Sequence, residues 1–111
     1  ALYNLIENGI KYTPEGGTVT VRLQALPEAL EFAVQDSGIG ISENDQKRLF
    51  EKFYRGTNRE ALMQRGTGLG LAIVKSIAER HGGKVWVESE AGQGSIFFLQ
   101  IPLAQRKTSN L

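Results

Sequence analysis

Between Leu69 and His81 the chain carries apolar residues at helical spacing, and glycines crowd both ends of the run. Leu69, Ile73, Val74, Ile77 and Ala78 fall on one side, with Lys75, Ser76 and Glu79 opposite. A helix of this kind needs a second layer to cover its stripe. Alternating segments elsewhere supply that layer. Val19, Val21 and Leu23 alternate with Thr18, Thr20 and Arg22, which reads as a half-buried strand. A turn at Leu26–Ala29 leads into Leu30, Phe32 and Val34, a second strand. Val85 and Val87 open a third, "EAGQG" turns it, and Ser95 to Ile101 forms a fourth. Leu2, Leu5, Ile6, Gly9 and Ile10 mark a first helix, ended by Pro14 and the Gly16–Gly17 pair. Ser42 is placed to cap a short helix through Phe53, with Asp45 in its first turn. The order helix, hairpin, helix, helix, hairpin predicts an α+β two-layer sandwich. Its sheet is mixed and mainly antiparallel, with helices on one face.

At 111 residues the chain makes one domain with room for a real core. A net charge of +1 provides no broad field for nucleic acid or an anionic membrane. The absence of cysteine excludes disulfides and thiolate metal sites and fits a reducing, cytoplasmic compartment. No apolar run approaches the ~20 residues of a membrane span, so no direct membrane contact is expected; no signal peptide is visible. The sequence opens at Ala1 already inside a helical pattern, which reads as a piece of a longer chain. We expect the domain over residues 1–104 and a frayed polar tail over 105–111.

Three constellations carry chemistry. Gly66, Gly68 and Gly70 precede the helix at Leu69, where unpaired N–H groups and partial positive charge gather. This arrangement suits a phosphate cradle or a plain hinge. On the first helix, Asn4, Asn8, Lys11 and Tyr12 share one side. An amide oxygen suits magnesium, lysine a phosphate and tyrosine a flat base; a solvated polar face is the other reading. Asp36 continues the core side of its strand, beyond Phe32 and Val34, and Gly38 and Gly40 follow. A carboxylate there needs a donor, which an amine-bearing ring or its own loop could provide. Phe50 and Phe53 read as core anchors, Arg55 as a surface or phosphate-reaching arginine, and His81 as a helix cap.

Jointly these stretches resemble a known set. "NLIENGIKYTP" looks like an N box, "DSGIGI" a first glycine box, "LFEKFYRG" an F box and "GTGLGL" a second glycine box, in that order, with a closing "GQGSIFFLQIP". The chain from Leu5 to Pro102 is similar to the catalytic ATP-binding domain of bacterial sensor histidine kinases. These belong to the gyrase, heat-shock chaperone, histidine kinase and mismatch-repair ATPase superfamily.

The resemblance implies a Bergerat-type fold holding ATP and magnesium. Asn8 would ligand magnesium, Asn4 would support that face, and Lys11 would contact phosphate. Tyr12 would lie along the adenine, Asp36 would accept from its amine, and Gly38 and Gly40 would shape the pocket. Gly66, Thr67, Gly68, Leu69 and Gly70 would hinge a lid at Thr57–Arg65 and offer N–H groups to phosphate. Tyr54 and Arg55 would border the nucleotide, with Asn8, Lys11 and Arg55 as the catalytic set. The implied partners are a histidine-bearing dimerisation domain and a response regulator, with no nucleic acid; membrane attachment of the parent is left open.

Departures from the pattern are informative. Gly9 stands where alanine is usual, a helix cost of ~1 kcal/mol. An upstream strand and the start of the first helix are missing, as is a phosphoacceptor, since His81 belongs to the second glycine box's own helix. The superfamily's hydrolases carry a glutamate one turn before the magnesium asparagine. Asn4 stands at that position, and an amide has no useful basicity. That favours phosphoryl transfer to another nucleophile, by positioning and charge neutralisation, over hydrolysis. A nucleotide-sensing module without transfer and a serine kinase of the anti-sigma type are the alternatives.

Overall fold

The computed structural model describes residues 2–51 and 70–103. Tyr54, Arg55, the expected lid, Gly66, Thr67, Gly68, Leu69 and the C-terminal tail lie outside them. In chain order the elements are α1 (Leu2–Lys11), β1 (Val19–Leu26), β2 (Ala29–Asp36), α2 (Glu43–Gln46), α3 (Gly70–Arg80), β3 (Lys84–Ser89) and β4 (Ser95–Pro102). The strands form one sheet in the order β1-β2-β4-β3, every pair antiparallel. Helix α1 packs on β1, β2 and α3, and α3 packs on β3 and β4. The result is the two-layer α+β sandwich.

The core lies between the layers. Leu5 from α1, Val74 and Ala78 from α3, Val34 from β2, and Phe97 and Leu99 from β4 are all buried. Phe50 meets Phe97 edge to face, with ring centroids 6.3 Å apart, so it is the anchor its position suggested. Phe53 lies outside the described residues. Helix α3 stops in a Schellman turn. The Gly83 N–H donates to Ala78 and the Gly82 N–H to Glu79, with Gly82 left-handed at φ 75°. The His81 ring Nδ1 lies 2.9 Å from the Ile77 carbonyl, the helix-end role expected of it.

Three expectations need correction. Val21 and Leu23 are 43% and 61% exposed, because β1 is an edge strand and extends beyond α1; only Val19 reaches the core cluster. Ile10 and Ile73, both placed in core stripes, are 62% and 44% exposed. Successive helical residues turn by about 100°, which carries Ile10 roughly a third of a turn from Leu5 and Gly9. It places Ile73 equally off the line of Leu71, Val74 and Ala78. The short helix ends at Gln46 rather than Phe53 and continues as turns. Its cap is as expected: the Ser42 hydroxyl accepts from the Asp45 N–H at 3.2 Å.

Candidate functional site

The polar side of α1 is not a solvated face. Asn4, Asn8, Lys11 and Tyr12 are half-buried, whereas Tyr3, Glu7 and Ile10 take the exposed side. The asparagines lie on the flank turned toward α3. Asn4 Nδ2 points to the carbonyl of Gly70, at 3.4 Å, where α3 begins. The first helix and the end of the second glycine box therefore meet, although their residues stand 66 positions apart in sequence.

The register of the sheet builds the floor of the site. Val19 pairs with Asp36, Asp36 with Ser95, and Ser95 with Ser89. Side chains at one register level share a face, so Asp36, Ser95 and Ser89 form a polar row on the helix-covered side at one end of the sheet. Asp36 and Ser95 are 7% and 6% exposed. The Asp36 carboxylate accepts from the backbone N–H groups of Gly38, at 2.9 Å, and Ser95. Burial raises its pKa above the usual carboxylate value; those two N–H groups pull the other way and do not restore it. A carboxylate has about four acceptor sites, so Asp36 retains capacity for a further donor.

The chain after Asp36 is held on both sides by backbone. The Ile39 N–H donates to the carbonyl of Tyr12, and the Gly92 N–H to the carbonyl of Ile39. A Cβ on Gly38 would stand 2.2 Å from the Tyr12 carbonyl oxygen, and one on Gly40 2.1 Å from that of Glu90. Both lie far inside van der Waals contact. Gly40 is also left-handed, at φ 72°. The close approach that these glycines permit is thus to the protein's own backbone, which presses the loop between the end of α1 and the β3–β4 turn.

Of the residues proposed from sequence, the structure gathers Tyr12, Asp36, Gly38 and Gly40 around this loop, and Asn4, Asn8, Lys11 and Gly70 along the α1 flank that runs up to it. Tyr54, Arg55, Gly66, Thr67, Gly68 and Leu69 lie outside the described residues. Sequence reasoning missed Ser89, Ser95 and Gln46. The first two were within reach: the alternation that puts Val85 and Val87 inward continues to Ser89, and Phe97 and Leu99 share a side with Ser95. Gln46 bridges residues distant in sequence and carries no local signal. Among the described residues no group of three His, Cys, Asp or Glu could hold a metal. An amide such as Asn8 would serve an ion completed by phosphate and water, which is magnesium's usual habit.

The sequence profile of histidine kinase-, DNA gyrase B- and HSP90-like ATPases matches residues 1–105. The sensor-like histidine kinase SenX3 of Mycobacterium bovis is 45% identical over 102 residues, covering 92% of this chain and 25% of its own length. WalK of Bacillus subtilis is 39% identical over 108 residues, covering 96% of this chain and 18% of its own. Among solved structures, full-length ShkA in complex with AMPPNP aligns with a TM-score of 0.78 and 36% identity, over 93% of this chain and 20% of that one. The mycobacterial sensor histidine kinase MprB aligns with a TM-score of 0.75 and 34% identity, over 89% and 67%. The chain therefore spans about a quarter or less of the length of these two curated relatives.

Proposed function

Because the chain belongs to the histidine kinase-, DNA gyrase B- and HSP90-like ATPase family, we propose that it is the ATP-binding catalytic domain of a sensor histidine kinase. It transfers the terminal phosphate of ATP to a histidine on a separate dimerisation domain, from which a response regulator is served. The carrying observation is Asp36. A buried acceptor with spare lone pairs sits where the end of α1, the end of β2 and the glycine loop converge. A donor amine on a flat base compensates such a group, and adenine offers one. The AMPPNP complex of ShkA, which shares this fold at 36% identity, supports the choice of nucleotide.

On this reading Tyr12 lies along the base, and Gly38 and Gly40 let the pocket walls close. Lys11, the neighbour of Tyr12 in sequence, and Asn8, one turn up the same flank, face the phosphates. Asn8 would hold magnesium through its side-chain oxygen. When bound, the ion would supply neutralisation of phosphate charge. Arg55 and Tyr54 border the nucleotide, and Gly66, Thr67, Gly68, Leu69 and Gly70 supply the hinge and N–H groups for phosphate. Asn4 is engaged with Gly70 and is no base, so water is not activated and the phosphoryl group passes to the incoming imidazole nitrogen, with ADP leaving. The domain works where ATP is plentiful, in the cytoplasm; among the described residues no helix is long and apolar enough to cross a membrane.

Incubation of the chain with terminally labelled ATP, magnesium and a dimerisation domain carrying the histidine tests this. Acid-labile label on that domain is the expected result. Bound ATP without transfer, or acid-stable label, would overturn the transfer.

A further inference from the structure

A second hydrogen-bond system lies directly behind the base loop, and the proposed chemistry makes no use of it. Gln46, the last residue of α2, donates from Nε2 to two carbonyls, Ile41 at 2.8 Å and Ser89 at 2.9 Å. Ile41 lies at the end of the glycine loop, and Ser89 at the end of β3. The Ser89 hydroxyl accepts from the Ile41 N–H at 2.8 Å, reaches the Gly94 carbonyl at 2.8 Å and meets the Ser95 hydroxyl at 2.8 Å. A hydroxyl has one donor and two acceptor sites. The arrangement fills all of them when Ser89 donates to Gly94 and Ser95 donates to Ser89. Both backbone groups of Ile41 are thus held by two side chains from elsewhere in the sequence.

The network also reaches the base-reading group. Ser95, whose hydroxyl completes the Ser89 site, is the residue whose backbone N–H binds the Asp36 carboxylate. One connected set of bonds therefore fixes both ends of the loop, at Asp36 and at Ile41. The short helix α2, capped by Ser42, places Gln46 at its centre.

We propose that Gln46 is a positioning residue that, through Ser89 and Ser95, holds the Asp36–Ile41 loop in the register that selects adenine over guanine. This rests on the ATP-binding reading above. An acceptor at Asp36 favours the amine of adenine and opposes the carbonyl that guanine presents at the same place. Discrimination therefore depends on the carboxylate and the loop keeping their mutual position. A loop released at Ile41 samples other arrangements, and apparent affinity for the correct base falls with the fraction that stays competent.

The test titrates ATP and GTP into the wild-type chain and into Gln46→Glu, Ser89→Ala and Gln100→Glu by calorimetry, with thermal unfolding of each. Gln46→Glu keeps the length of the side chain but loses both donors. Ser89→Ala removes the partner of the Ile41 N–H and leaves Gln46 intact, so the question survives if either variant fails to fold. Gln100→Glu is the control: it breaks the bond to Glu31, 3.1 Å long, on the opposite face of the sheet. The ratio of ATP to GTP affinity is expected to fall ~tenfold in Gln46→Glu and in the same direction in Ser89→Ala. In the control the ratio stays at the wild-type value whatever the loss of thermal stability. A wild-type ratio in the folded clasp variants, or an equal drop in the control, overturns the proposal while leaving ATP binding intact. A wild-type chain that binds neither nucleotide overturns the functional reading itself, and this inference with it.

Discussion

Replacement of Gly9 by alanine tests whether α1 is seated as described. Gly9 is buried, and a Cβ there would lie 3.4 and 3.7 Å from the two methyls of Val19 and 3.7 Å from a methyl of Val34. Those are ordinary contacts, so the methyl fits without displacing anything. Glycine within a helix costs about 0.5–1 kcal/mol relative to alanine, and burying one more carbon contributes about 0.8 kcal/mol. Gly9→Ala should therefore stabilise the domain by about 1.5 kcal/mol. For 111 residues the unfolding entropy is about 0.23 kcal/mol/K, which turns that gain into a rise of about 6 °C in Tm. Thermal unfolding followed by circular dichroism measures it, and urea titration at 25 °C gives an independent value. ATP affinity should hold or improve, since Asn8, Lys11 and Tyr12 stand on the stretch being stiffened. A lower Tm would mean that Val19 and α1 approach more closely than these distances allow, and the seating of the helix on β1 and β2 would be wrong.

Further outcomes follow from the loop and its acid. Gly40→Ala and Gly92→Ala both place a side chain at positive φ, at 72° and 83°, but only Gly40 meets backbone, the Glu90 oxygen, while nothing lies within 4 Å of a Cβ on Gly92. Gly92→Ala should cost about 1–2 kcal/mol in urea unfolding. Gly40→Ala should cost more, by about 1–3 kcal/mol as the Gly92–Ile39 bond is lost, and should lose ATP binding; equal costs would refute the clash. Asp36 has a folded pKa above its unfolded value, so its protonated form favours folding. That contribution is present below the unfolded pKa and is lost as pH rises through the folded one. Asp36→Asn should accordingly gain stability relative to wild type near pH 7, with the difference shrinking toward pH 4, while ATP affinity drops at least tenfold with the loss of a charge-assisted bond. Unfolding curves across that pH range that run parallel would contradict the buried, poorly compensated acid.

Much of this arrangement was legible in the sequence because it is repeated locally. Period-two alternation gave all four strands, and it carried Asp36 onto the core side one step past Val34, where it is found. The capping serine at Ser42 and the glycine stop after α3 are likewise short-range chemistry, and both stand where expected. The misplaced residues have two causes. Ile10 and Ile73 lie about a third of a turn off the buried line of their helices, and Val21 and Leu23 lie on the edge strand, so all four are apolar yet exposed. Periodicity says which side of an element is apolar; it does not say how far the neighbouring layer extends. Coverage is a property of the layers, and an edge strand can only be recognised once the strand order is known.

The same distinction separates the two halves of the candidate site. The groups proposed to touch nucleotide are single residues of unusual chemistry in their local setting: asparagines inside a helix, an acid on a core face. The groups that hold them are commonplace residues made important by juxtaposition. Ser89 and Ser95 are brought opposite each other by the β3–β4 register, and Gln46 reaches Ser89 from a position 43 residues earlier in the sequence. No window along the sequence contains that contact. If base selection is set by how rigidly Asp36 and Ile41 are held, specificity in this domain depends on its least conspicuous hydrogen bonds. Substitutions behind the loop should then change which nucleotide is taken without altering any group proposed to contact it.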